Sequence, residues 1–171
     1  MGTIISAPGP GGNVGEANTG AAVTGNTSNN VGATSLIKAN TIDKDNKTST
    51  LEIRGRMFKT GVAGNCTMRL YFNETPDLAG TPVLLGTHTS TGTNTHAQFV
   101  RQVYIDKNNT IVFAAVQNAN TDDTENAAGR TVISNTTIRY DLDLYLVLAI
   151  QNGNAADSTI PTVWYTKTHG Y

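Results

Sequence analysis

This sequence predicts an all-β fold: an antiparallel β-sandwich, of jelly-roll type, with an extended N-terminal arm. Three observations carry that expectation. Apolar residues recur with a period of two along most of the chain, Asn and Thr together supply 45 of the 171 residues, and the first 35 residues hold a single charged side chain, Glu16. Period two is the spacing of a half-buried strand. Thr favours strands, Asn favours turns, and neither suits a helix interior. Helix is expected for at most one turn, over Asp122 to Ala128.

The opening tract, MGTIISAPGPGGNVGEANTGAAVTGNTSNNVGATS, contains eight glycines, five asparagines and five threonines. So few apolar side chains cannot offset an ordering entropy of roughly 1–2 kcal/mol per residue, so something outside the tract is expected to hold it. The chain therefore divides into an arm over residues 1–35 and a sandwich domain over residues 36–171, and a chain starting at residue 36 is expected to fold. Neighbouring subunits are the expected clamp. The arm's anchoring residues would be Ile4, Ile5, Pro8, Pro10, Val14, Val23 and Val31.

Beyond the arm, TLEIRGRMF (Thr50 to Phe58) alternates Leu51, Ile53, Gly55 and Met57 with Glu52, Arg54 and Arg56. Cys66, Met68, Leu70 and Phe72 alternate with Thr67, Arg69 and Tyr71 in the same way. Both runs read as antiparallel strands with one face in the core. Glycines and prolines from Gly61 to Gly92 punctuate the chain as turns. Further strands are expected over Leu36–Ile42, Val83–Leu85, Ala97–Ile105, Thr110–Gln117, Thr136–Ile150 and Thr162–Thr168. Eight or so strands with irregular connections read as a jelly roll or a related Greek-key sandwich.

The run Thr136–Ile150 is long for one strand. One face reads Ile138, Tyr140, Leu142, Leu144, Leu146, Leu148 and Ile150; the other reads Arg139, Asp141 and Asp143, then turns apolar at Tyr145, Val147 and Ala149. A bulge or a section covered on both sides is expected. Tyr145, Val147 and Ala149 are the expected oligomer interface, and a covering loop of the same chain is the alternative.

Charge and composition exclude several roles. The net charge is −1 and no run of Lys or Arg exists, which argues against nucleic acid as a partner. The longest apolar stretch, Leu144–Ile150, is far short of the roughly 20 residues that span a bilayer as helix. No basic segment followed by an apolar one opens the chain, so no export signal and no membrane partner are expected. Cys66 is the only cysteine; its place in an alternating run predicts a buried small hydrophobe.

Catalytic patterns are weak. His88, His96 and His169 are scattered, with no second ligand at i+2 or i+4, and the first two sit in the Thr-rich stretch GTHTSTGTNTH, expected to be a solvated loop. Asp43-Lys44-Asp45-Asn46-Lys47 starts like a calcium loop, but Thr48 stands where glycine is required and Arg54 where the bidentate Glu is required. Asp122, Asp123 and Glu125 read as an exposed polar turn. Asp141 and Asp143 have the i, i+2 spacing of a paired-carboxylate site, yet Arg139 on the same face explains them as an ion-pair ladder. No Gly-x-Ser-x-Gly elbow occurs. The six Asn-x-Ser/Thr sequons follow from the composition. Aromatic platforms for a glycan could come only from Tyr71, Tyr104, Tyr145, Trp164 and Tyr165. No catalytic, cofactor-binding or metal-binding residues are assigned, and no cofactor is expected.

Met68 to Gly86, MRLYFNETPDLAGTPVLLG, resembles a run common in bacteriophage structural proteins: a strand ending in Tyr-x-Asn, a Pro-containing turn, then a Gly-Thr step into a short apolar strand. FVRQVYIDKNNTIVF (Phe99 to Phe113) and YLVLAIQNGNAADSTIPTVWY (Tyr145 to Tyr165) are similar to later strands of the same proteins. This resemblance implies a virion β-sandwich, usually trimeric, serving as capsid decoration or cement, head fibre, collar or tail fibre. The expectation is a non-enzymatic homotrimeric decoration protein, located in the virion. Its partners would be itself and the major capsid protein or other virion proteins. The alternative is a fibre or collar component whose sandwich binds a host glycan.

Overall fold

The computed structural model describes residues 3–6, 14–18, 20, 22–25, 28–40, 48–61, 64–90, 96–106, 111–115, 130–134 and 138–170. Twelve strands occur among them: β1 (Thr3–Ser6), β2 (Val14–Asn18), β3 (Val23–Thr24), β4 (Asn30–Ile37), β5 (Thr48–Thr60), β6 (Cys66–Asn73), β7 (Val83–Ser90), β8 (His96–Asp106), β9 (Ile111–Ala115), β10 (Arg130–Ser134), β11 (Leu144–Asn152) and β12 (Ser158–Gly170). Two antiparallel sheets form a sandwich. One runs β1-β2-β12-β5-β8-β9-β10, with β3 also on β12; the other runs β4-β11-β6-β7.

That order is a jelly roll. Strands pair as nested hairpin partners, β2 with β12, β4 with β11, β5 with β8 and β6 with β7. Cross-links β12 to β5 and β11 to β6 roll these eight strands into the two facing layers β2-β12-β5-β8 and β4-β11-β6-β7, as two Greek keys require. The β9–β10 hairpin extends the first sheet beyond β8.

Alternation builds the core. Leu51, Ile53 and Met57 of β5 and Val103 and Ile105 of β8 belong to one buried cluster with Met68, Leu70 and Phe72 of β6 and Leu144, Leu146, Leu148 and Ile150 of β11. Cys66 is buried there too, as its position in the alternating run predicts. Burial raises its thiol pKa, Asp157 adds to the rise, and a hydrogen bond from Thr159 and the charge of Lys59 oppose it.

Three expectations about the strands change. The arm boundary at residue 35 falls inside β4, which pairs with β11 from Leu144 to Ile150 and buries Ala33 and Ser35. The strand expected over Thr136–Ile150 begins only at Leu144. Residues 139–142 form a turn closed by the Leu142 N–H donating to the Arg139 carbonyl at 3.2 Å, which lifts Leu142 out of the inner face to 41% exposure. The Thr-rich stretch after Val83 is strand as far as Ser90, and His88 is buried within it rather than solvated. Bulk in β11 behaves as its apolar pattern predicts: Leu146 to Ile150 are buried on both faces, and the β4 register shifts between Leu148 and Ala149. Asp43 to Lys47 and the Asp122–Ala128 turn lie outside the described residues.

Candidate functional site

The outer face of the four-stranded sheet brings together the side chains best suited to recognition. Tyr145 of β11 stands between Leu36 of β4 and Asn73 of β6; Val147 stands between Thr34 and Tyr71; Ala149 stands between Val31 and Arg69. Tyr71 in turn faces Leu84 of β7. Tyr71 and Tyr145 are thus diagonal neighbours, a relation that places such rings about 7–8 Å apart at Cβ and within mutual reach. Leu36, Tyr71, Leu84 and Tyr145 are all half-buried. At one end of the face Arg69 Nη1 donates to Gln151 Oε1 at 2.9 Å and to Asn29 Oδ1, while the hydroxyls of Thr67 and Thr89 meet at 3.3 Å.

Two of the three expected interface residues need correction. Val147 and Ala149 are each 0% exposed within the single chain. Small residues on the central strand of a sheet are overshadowed by longer side chains on both neighbouring strands, so they form the floor of this face and only Tyr145 reaches its surface. The expected anchoring residues also scatter. Ile4 and Ile5 lie in β1 and Val14 in β2, Pro8 and Pro10 lie outside the described residues, Val31 is half-buried on the outer face, and Val23 is buried in the chain's own core.

A cleft of about 260 Å³ opens at one end of the same sheet, with Phe72, Val83, Ile138 and Leu144 as its apolar walls and Glu74, Thr75 and Thr81 at its rim. Asn73 fixes the loop beside it. Its amide donates to Thr75 Oγ1 at 3.0 Å and to the Asp77 and Ala79 carbonyls at 2.9 Å each, and its Oδ1 accepts from the Glu74 N–H at 3.0 Å. Asp77 Oδ1 accepts from Thr75 and from the Ala79 N–H, which holds its carboxyl pKa below the usual value. Replacing Asn73 by Ala strands several loop groups at once, and we expect a loss of about 1–3 kcal/mol, read from a thermal melt.

The carboxylate pair suggested by sequence is split. Asp141 forms a fork with Arg139, at 2.9 Å and 2.7 Å, and that hydrogen-bonding partner lowers its pKa. Asp143 instead accepts from the Ala39 N–H at 2.8 Å and from Lys38 at 3.0 Å, and both lower its pKa, the backbone donor more. Each carboxylate is committed to its own structural partner. His96 meets Phe58 with ring centroids 5.1 Å apart in a tilted arrangement, and lies on another strand than the buried His88. Trp164 and Tyr165 lie in β12, and Tyr104 in β8.

The other end of the sandwich holds a cluster that sequence reading missed. Lys59 Nζ donates to the Gly64 carbonyl at 2.7 Å and lies 3.4 Å from Asp157 Oδ2, with side chains 7% and 0% exposed. Asn152 donates to the Val23 carbonyl at 2.9 Å and accepts from Thr159 Oγ1 at 2.7 Å. The sequence does carry a signal: Lys59 continues the inward phase of Leu51, Ile53, Gly55 and Met57 one residue beyond the alternating run that ends at Phe58.

Among the described residues no group of three His, Cys, Asp or Glu side chains could hold a metal ion, and no helix is long and apolar enough to cross a membrane. No family model and no curated protein matches the chain. Among solved structures, the chain is similar to a candidate sugar-binding protein from Bacteroides thetaiotaomicron VPI-5482, with 12% identity and a TM-score of 0.37, over 99% of this chain and 82% of that one. At that distance the likeness carries no argument about function.

Proposed function

We propose that this chain is a non-enzymatic structural protein of a virion, a capsid decoration or cement protein that self-assembles through the outer face of its four-stranded sheet. The observation that carries this reading is that face: Leu36, Tyr71, Leu84 and Tyr145 around a closed floor, a mix of aromatic and aliphatic groups with little charge, as at the centre of protein contacts. Its mechanism is mechanical. A jelly roll gives a rigid body, the face joins copies, and the segment before β2 is the remaining reach toward capsid subunits. A trimer and the station on the capsid come from the resemblance to bacteriophage structural proteins. Quantifying the chain on purified particles tests the station: a decoration protein is present in on the order of hundreds of copies, as a symmetric shell demands, and a fibre or collar in a few dozen at most.

A specific observation favours a second reading. Diagonal tyrosines beside an Arg–Gln–Asn cluster and a pair of threonine hydroxyls offer stacking and hydrogen bonding to a neutral sugar, as a fibre protein would need. Glycan binding lost in Tyr71→Ala, by a chain that stays monomeric, would favour it.

A further inference from the structure

We propose that Lys59 and Asp157 condense into an amide, a covalent staple between β5 and the turn that precedes β12. Both side chains are buried, at 7% and 0% exposure, in a site closed by Gly61, Gly64 and the 153–157 turn. As an ion pair they are poorly arranged. A charge-assisted N–H···O bond prefers about 2.7–2.9 Å, whereas Lys59 Nζ lies 3.4 Å from Asp157 Oδ2, and Oδ1 accepts no hydrogen bond. A buried pair with an unsatisfied oxygen does not recover the cost of its own desolvation.

The same geometry suits condensation. The amine is held by its 2.7 Å bond to the Gly64 carbonyl, and its nitrogen lies 3.4 Å from Oδ2 of the carboxyl group it would attack. The backbone at Gly61 and Gly64 is shaped around the carboxyl. A Cβ on Gly61, whose φ is +115°, would sit 2.6 Å from Asp157 Oδ1, and one on Gly64 would sit 2.5 Å from Oδ2. Only glycine at positions 61 and 64 lets the backbone come this close to it.

The step balances without a co-reactant. In the first step the ammonium passes one proton to the carboxylate, giving an amine and an acid. The amine nitrogen attacks Cγ, a C–N bond forms, a second proton moves from nitrogen to the departing oxygen, and the C–O bond breaks to release one water.

Intact mass spectrometry of the purified, folded full-length chain, denatured just before injection, tests this directly. The expected mass is lower than the sequence mass by one water, with a cross-linked peptide pair containing Lys59 and Asp157 after digestion. Lys59→Arg, which keeps the cation but cannot form this amide, is expected at its full sequence mass, as is Asp157→Ala whether or not it folds. A wild-type chain at its full sequence mass, or a lost water mapped to other residues, overturns the proposal.

Discussion

Deleting residues 2–35 is expected to abolish folding, whereas deleting residues 2–13 is expected to leave a sandwich that melts cooperatively. The longer cut removes all but two residues of β4, whose ladder covers one side of β11 from Leu144 to Ile150. It takes away the buried Val23, Ala33 and Ser35 and leaves an apolar central strand as an open edge. Several unmade backbone hydrogen bonds at about 0.5–1.5 kcal/mol each, plus the lost apolar cover, approach the whole stability of a typical domain, about 5–15 kcal/mol. The shorter cut removes β1, which pairs only with β2 at the end of its sheet. Circular dichroism during a thermal melt separates the two, and a cooperative transition in the longer deletion would show that β4 is dispensable.

The second large effect is expected at Asp157. Asp157→Ala leaves the Lys59 ammonium buried without its counter-charge, and breaking a pair in that way costs about 3–5 kcal/mol. Replacing both partners together, Lys59→Met with Asp157→Leu, removes the uncompensated charge and is expected to recover much of that loss. Chemical denaturation of the three chains checks the pattern. Equal losses in the single and double variants would mean that charge burial is not what the pair controls. A staple between Lys59 and Asp157 would add to the loss in both, so the difference between them still reports the charge.

Where strands have one polar face, the sequence announces them. TLEIRGRMF and CTMRLYF alternate strictly, and β5 and β6 stand where those runs stand. β4 is half hidden because inner positions Ala33 and Ser35 are too small and too polar to register as an apolar face, so a tract poor in hydrophobes reads as an arm. Arg139 to Asp143 failed for the opposite reason. The alternation runs unbroken through a segment that the backbone spends on a turn, and nothing in Tyr140 or Leu142 marks the change.

The sites were less legible than the fold. Tyr145 could be placed on an outer face by alternation, but its partnership with Tyr71 and Leu84 depends on the β11-β6-β7 order, which one-dimensional periodicity does not contain. Val147 and Ala149 show the same limit: alternation says which way a side chain points, and only neighbouring strands decide whether anything can reach it. Lys59 could have been noticed from its inward phase. Its partner Asp157 lies 98 positions away and meets it only when β12 is laid against β5.

The most direct measurement is the mass in solution, by light scattering, of the full-length chain and of the double variant Tyr71→Arg/Tyr145→Arg, side by side. The account predicts a wild-type oligomer at a whole multiple of 18.1 kDa, and a variant that falls to the single-chain mass with an unchanged β spectrum, because two like charges now occupy the face where copies meet. Equal masses for the two chains, whether both monomeric or both assembled, would contradict it.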